Sequence, residues 1–287
     1  MRYLYLILIV FFACSCKDPQ KDKIARLVRE WEGKEIVFPT HSIFTIQGKD
    51  TVDFSFLDAE YKVVTYIDSI GCTSCKLQLP RWKAFMHEVD SLKNSEVPFL
   101  FYFHPKDKKE LKYIIRRDKF DFPVCFDEVD ELNHLNQFPS ETTFQTFLLN
   151  KKNKVIALGN PIHNPKVKEL YLQILTGDKK SASTAPLTEV RLEQTTITFG
   201  TFPWSEKQER KFELMNEGKS PLIIYDVIAS CGCTKVTYSK EPVRPGDKLE
   251  LSVVYEADKP EHFSKTVKVY CNVANSPLRL TVVGDAK

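Results

Sequence analysis

Residues 61–80 read YKVVTYIDSIGCTSCKLQLP. The β-branched and aromatic run from Val63 to Ile67 predicts a buried strand, Gly71 permits a turn, and Cys72 and Cys75 follow one helical turn apart. The next residues, down to Leu92, have helical spacing, and VPFLFYF at 97–103 reads as a second buried strand. A Cys-x-x-Cys between a strand and a helix has a mechanism. Free backbone N–H groups and the helix dipole favour a thiolate at Cys72, and Cys75 can then resolve a mixed disulfide.

Outward from this stretch the types alternate. KDKKELKYIIRRD (106–118) predicts a helix, FPVCF (122–126) a strand, and Glu128–Leu135 a short helix. A strand at Phe144–Leu149, a turn at Asn150–Asn153, a strand at Lys154–Leu158 and a helix at Val167–Leu175 complete the series. Alternation of this kind predicts an α/β domain with parallel crossovers and an antiparallel hairpin at one edge. On the N-terminal side, residues 20–32 carry Ile24, Leu27, Val28 and Trp31 at helical spacing, with Gly33 as a stop. Strand candidates follow at Ile43–Ile46 and Thr51–Phe56.

The segment 60–176 resembles the thioredoxin-like proteins, in particular the TlpA and ResA type of envelope thiol-disulfide oxidoreductases. The resemblance rests on the Cys72-x-x-Cys75 pair, Lys76 after it, Pro80 where the family's helix is kinked, and Thr146-Phe147-Leu148-Leu149-Asn150 with Lys154-Val155-Ile156. It implies a redox-active pair, with Cys72 attacking and Cys75 resolving. Two positions depart from the family. Gln145 stands where the family places a cis-proline facing the pair, Pro139 being six residues earlier, and Ile70-Gly71 replaces the tryptophan common before the first cysteine. The alternatives for the pair are a static structural disulfide and half of a metal site; no second Cys-x-x-Cys or His-x₃-His pairing follows, so no metal is expected. His87, His104, His134 and His163 are scattered and read as surface or loop residues.

Residues 177–188, GDKKSASTAPLT, lack apolar periodicity and read as a linker. Beyond them lie short strands at Thr195–Phe199, Glu209–Asn216, Leu222–Ile228, Lys235–Tyr238, Leu249–Tyr255, Phe263–Val273 and Leu278–Val283, which predict an Ig-like β-sandwich. Ser230-Cys231-Gly232-Cys233-Thr234, together with Pro245-Gly246-Asp247 and the strands around it, closely resembles a family of bacterial Ig-like domains of unknown function marked by that Cys-Gly-Cys signature. Cysteines separated by one glycine can close a very small ring, strained and therefore labile; the alternative is a structural loop whose cysteines bridge elsewhere. A labile Cys231/Cys233 pair would be a second redox pair that exchanges with the first. Cys271 shares an alternating face with Val267, Val269 and Val273 and reads as core, a bridge to Cys231 or Cys233 being its alternative; Cys125 likewise reads as core.

The chain opens with Arg2 and an apolar run, Tyr3 to Ala13, too short to span a bilayer but suited to an export signal. Small residues Ala13-Cys14-Ser15 before Cys16, and the polar KDPQKDK after it, resemble the lipobox of bacterial lipoproteins, which implies acylation of Cys16. Cys14, or cleavage without lipidation at Ala13 or Ser15, are the competing readings. A lipid anchor gives membrane affinity without a transmembrane helix. Export places the remaining cysteines in an oxidising compartment. Net charge is +3 over 287 residues with both signs mixed, and no basic stripe points to nucleic acid.

The expected organisation is a signal peptide (1–15), an anchor and N-terminal extension (16–58), an α/β thioredoxin-like domain (59–177), a linker (178–190) and an all-β Ig-like sandwich (191–287). The expected function is a lipid-anchored thiol-disulfide oxidoreductase of the bacterial cell envelope, periplasm-facing or surface-exposed. It needs no cofactor, and its partners are envelope proteins carrying thiols or disulfides. The competing function is an envelope binding or scaffold lipoprotein whose thioredoxin-like domain is not catalytic.

Overall fold

The computed structural model describes residues 19–68, 77–92, 96–177 and 185–287. Cys16, Cys72 and Cys75, on which the lipidation and first redox expectations fall, lie outside the described residues, as does most of the expected linker.

Among the described residues, the N-terminal part is a seven-stranded mixed sheet. Its strands are β1 (Phe44–Ile46), β2 (Asp50–Val52), β3 (Tyr61–Ile67), β4 (Phe99–Phe103), β5 (Pro123–Phe126), β6 (Thr146–Asn150) and β7 (Val155–Leu158), in the order β2-β1-β5-β4-β3-β6-β7. Strands β3, β4 and β5 are parallel, and β6 and β7 form the antiparallel edge hairpin, as the alternating pattern predicts. The two short strands β1 and β2 extend the opposite edge, with Phe44 opposite Cys125.

Strand β4 shows why the central strands are apolar throughout. Phe99, Phe101 and Phe103 point into one core with Trp82, Phe85 and Ile115, while Leu100 and Tyr102 point into a second core with Trp31, Leu132 and Phe147. A strand covered on both faces loses the polar alternation of a half-solvated one. The first face carries α2 (Leu79–Leu92), α3 (Lys108–Arg117) and α5 (Pro165–Thr176); the second carries α1 (Pro19–Trp31) and α4 (Glu131–Asn136). In α1, Trp31 is buried, yet Ile24 and Val28 remain exposed. Helices α3 and α5 start where sequence chemistry directs. The Asp107 carboxylate accepts from the N–H groups of Lys109 and Glu110, and Asn164 caps α5 ahead of Pro165.

Of the helix expected over residues 72–92, with the family's kink at Pro80, the described part is interrupted at Gln78 (φ +38°) and restarts at Leu79. Pro80 in the first turn explains the restart, since its missing N–H is one the helix start leaves free.

The C-terminal part has eight strands among the described residues in two four-stranded sheets, β12-β13-β10-β8 and β11-β14-β15-β9. They are β8 (Val190–Leu192), β9 (Thr196–Phe202), β10 (Gln208–Asn216), β11 (Ile224–Ala229), β12 (Thr234–Thr237), β13 (Lys248–Tyr255), β14 (Glu261–Cys271) and β15 (Leu278–Ala286). Seven of these match the sequence expectation. The eighth, β8, has too few residues to show an alternating pattern and pairs with the end of β10. The inner faces supply Phe212, Leu214, Leu251, Val253, Val267 and Val269 to one core.

Two buried asparagines bind backbone groups of the loops around them. Asn216 donates to the carbonyls of Ser220 and Val243 and accepts from the Thr188 hydroxyl and Gly218 N–H. Asn272 donates to Pro186 and Pro221 carbonyls and accepts from Ile223 N–H.

Candidate functional site

The two parts meet at the C-terminal end of β3. This strand leads into the Cys72-x-x-Cys75 stretch, and Gln78 and Arg81 lie just beyond it in sequence. The Gln78 side-chain amide donates to the carbonyl of Ala229, 2.8 Å away in β11. The Arg81 guanidinium donates to Ile162 O at 2.9 Å and Val227 O at 3.3 Å, and pairs with Asp226. The Tyr270 hydroxyl donates to His163 O at 3.0 Å. A further ion pair at 3.1 Å, Arg117 with Asp258, lies apart from this cluster in sequence.

The face of the β part that makes most of these contacts follows from strand alternation. Along β14, Val267, Val269 and Cys271 point inward, so Thr266, Lys268 and Tyr270 point outward. Their β11 neighbours include Asp226, opposite Tyr270, and Ile228, opposite Lys268.

Between the parts lies a cavity of about 270 Å³. One wall has Ile67, Gln78, Gln145 and His163; the other has Ser230 and Lys268. Gln145, at the position where the family resemblance implies a proline, is buried. Its amide nitrogen donates to Asp68 at 3.2 Å and to Pro139 O at 3.0 Å, which fixes the amide orientation and leaves Oε1 without a hydrogen bond. The backbone of Gln145 is also engaged, its carbonyl accepting from Tyr66 N–H at 2.9 Å.

His163, expected as a surface or loop residue, does sit in a loop, but its Nε2 is buried and without a partner. Burial, with Arg81 and Lys268 nearby, lowers its pKa to about 4, so the ring is neutral near pH 7. No sequence signal marks this, because the burying surface is contributed by β14, a hundred residues further along the chain.

Ala229 and Ser230 lead directly to Cys231, which is joined to Cys233 with sulfurs 2.02 Å apart. The small-ring alternative of the sequence reading is thus the one formed. Cys231 is 3% exposed, whereas Cys233 is partly exposed. The Thr234 hydroxyl lies 3.3 Å from the Cys231 sulfur. Cys125 and Cys271 are free and buried. Burial pushes the Cys125 thiol up to about 12 and the Cys271 thiol up to about 11, as inert core thiols require. Among the described residues, no cluster of three His, Cys, Asp or Glu side chains is placed to hold a metal, and no helix is long and apolar enough to cross a membrane.

None of the curated proteins matches the chain. Among solved structures, a protein of unknown function from Porphyromonas gingivalis is similar at 17% identity and TM-score 0.32, over 38% of this chain and 51% of that one. The chain thus aligns with about half the length of that protein. The thioredoxin domain of a thiol-disulfide oxidoreductase from Bacteroides vulgatus is similar at 14% identity and TM-score 0.37, over 48% of this chain and 96% of that one. A putative protein disulfide isomerase from Bacteroides thetaiotaomicron is similar at 14% identity and TM-score 0.38, over 51% of this chain and 89% of that one. Residues 190–286 match the sequence profile of the family described as "Protein of unknown function (DUF1573)".

Proposed function

We propose that the chain is a thiol-disulfide oxidoreductase of the bacterial cell envelope, anchored by a lipid on Cys16. In this reading residues 59–177 are a thioredoxin-like domain and residues 191–287 an Ig-like sandwich. Cys72 and Cys75 are the primary pair, and Cys231 and Cys233 are a second pair in the same molecule. The carrying observation is the Gln78 to Ala229 hydrogen bond of 2.8 Å, which joins chain three residues after Cys75 to chain two residues before Cys231.

The exchange balances without a cofactor. The Cys72 thiolate attacks the Cys233 sulfur, the more exposed of the two, and the Cys231–Cys233 bond breaks with Cys231 leaving as thiolate. Cys75, deprotonated, then attacks Cys72 and releases Cys233, so a Cys72–Cys75 disulfide and a Cys231/Cys233 dithiol result. Two electrons pass to the second pair, and the two protons lost by the first pair return to the second. An external dithiol of the envelope re-reduces the first pair, and an external disulfide oxidises the second.

The test is a redox titration of the full chain against glutathione, with a Cys75→Ser variant to trap the mixed disulfide. A potential between about −270 and −120 mV for the first pair, with a trapped Cys72–Cys233 or Cys72–Cys231 species, supports the exchange. A first pair below about −300 mV, together with no trapped species, overturns it in favour of a binding lipoprotein with a static disulfide. Gln145 at the expected proline position is the observation on the side of that second reading.

A further inference from the structure

The cavity between the two parts is electrostatically incomplete. Lys268 lines it, is half-buried, and has no acidic partner among the described residues. It also lies directly opposite Arg279 in the β14–β15 register. Like charges on facing strand positions are destabilising, and a partly desolvated ammonium without a counter-charge adds to the cost. Both burial and Arg279 hold the Lys268 ammonium below its ordinary pKa. Asp226, on the neighbouring strand β11, is engaged by Arg81.

A second, independent deficit stands on the opposite wall. Gln145 is 4% exposed, and its Oε1 is an acceptor with no donor, while its amide nitrogen is used twice. An orphaned buried amide oxygen is destabilising, and a donor from a ligand would relieve that cost. Thr142, Thr143 and Ser230 line the space between these walls.

We infer that this cavity binds a short peptide-like ligand, with its carboxylate on Lys268 and an amide N–H directed to the Gln145 wall. The inference rests on the oxidoreductase reading to the extent that it names the external reductant: two molecules of a small carboxylate-bearing peptide thiol, which leave joined as their disulfide, in place of a single dithiol or a folded protein. A cavity of about 270 Å³, roofed by the docked β part, excludes a globular surface. It is compatible in size with a few residues of extended peptide. The ligand's carboxylate replaces the missing counter-charge between Lys268 and Arg279, and the walls from both parts make binding and docking mutually reinforcing.

The probe is S-methylglutathione, a peptide thioether with free carboxylates that cannot undergo thiol exchange. Calorimetric titration into the full chain should show saturable binding at one site. Affinity should fall at least tenfold in Lys268→Met and measurably in Gln145→Leu, and amidation of the ligand's carboxylates should cause the same loss. Lys248→Met, an exposed lysine of β13 in the other sheet, should bind as the parent does. Lys268→Met should fold at least as stably as the parent, since it removes a like-charge pair; if it does not fold, Lys268→Gln serves in its place. No binding at millimolar ligand, or undiminished binding by both Lys268 variants, or equal binding of the amidated ligand, overturns the site. Because the probe is redox-inert, binding with a non-exchanging Cys72–Cys75 pair would retain the site and reject the oxidoreductase, while exchange without binding would do the reverse.

Discussion

Arg81 reaches across the interface to Asp226 of β11 while its other guanidinium nitrogens hold carbonyls on both sides of the same boundary, Ile162 and Val227. A planar guanidinium with its donors in a fixed fork is suited to such a junction, and lysine cannot replace it. The residue follows Pro80 directly, so the start of α2 is tied both to its own sheet and to the β part.

His163 supplies the interface with a pH dependence. Facing it are Arg81 from α2 and Lys268 and Tyr270 from β14, and burial, with the two cations, lowers its pKa from 6.5 to about 4. A depressed basic group binds a proton more readily when released, so the released form gains protons between these two values. Docking is therefore at full strength above about pH 6.5 and weakens as pH falls toward 4, by roughly 3 kcal/mol at the limit for complete release of the ring. Small-angle scattering at pH 7 and pH 4.5 should show an expanded particle at the lower value. In His163→Gln the expansion should be reduced; identical pH profiles in the two proteins would remove His163 from this role.

The four free or bridged cysteines of the described residues should separate by reactivity. With pKa values of about 12 and 11, Cys125 and Cys271 should resist alkylation at pH 8 in the native protein. After mild reduction, Cys233 should be labelled well before Cys231, which is 3% exposed. Peptide mass mapping at timed quenches reads the order directly. Labelling of Cys271 as fast as Cys233 would mean that the β part opens far more readily than its buried core implies.

Much of this arrangement is legible in the sequence, for identifiable reasons. Two-sided burial makes Phe99 to Phe103 uniformly apolar, and one-sided burial makes Val267, Val269 and Cys271 alternate, so strands of both kinds declare themselves. The cysteine motifs are local and can be read by spacing. The docking face cannot. Thr266, Lys268 and Tyr270 have the alternating polarity of an ordinary solvated strand, and only the structure shows that their face is turned toward His163. Gln145 is visible as a departure from a resemblance, but its orphaned oxygen depends on Asp68 and Pro139 consuming the amide nitrogen.

Asn216 should be the most sensitive polar position of the β part. It is fully buried and binds the chain at Thr188, Gly218, Ser220 and Val243. Replacement by leucine leaves the Ser220 carbonyl without this donor, at about 1–3 kcal/mol, while Val243 O keeps the Leu222 N–H. Asn216→Leu should lower the denaturant midpoint of the β part by an amount corresponding to about 1–3 kcal/mol, with the α/β part little changed. Equal loss in both parts, followed by separate fluorescence probes, would show that the two do not unfold independently.

Arg81→Met separates docking from the intrinsic chemistry of the cysteines. The substitution retains much of the side chain's apolar length but loses the Asp226 ion pair and the bonds to Ile162 and Val227. Both charged partners are partly exposed, with side-chain exposures of 32% and 24%, so the loss is about 1–3 kcal/mol rather than that of a fully buried pair. That energy corresponds to a roughly 5- to 150-fold fall in the docked population relative to the undocked one. The bonds of Arg81 go to Ile162, Asp226 and Val227 and not to the disulfide, so the potential of the Cys231–Cys233 pair should not move. If exchange between the pairs depends on docking, the yield of intramolecular mixed disulfide in the Cys75→Ser background should fall with the docked population, while alkylation of Cys72 by a small reagent should be unaffected. Gel mobility under non-reducing conditions and peptide mapping measure the first quantity, and timed alkylation the second. A trapped yield unchanged by Arg81→Met, with scattering showing that the parts have separated, would mean that the pairs meet by free collision on the tether and that the docked arrangement has no part in the exchange.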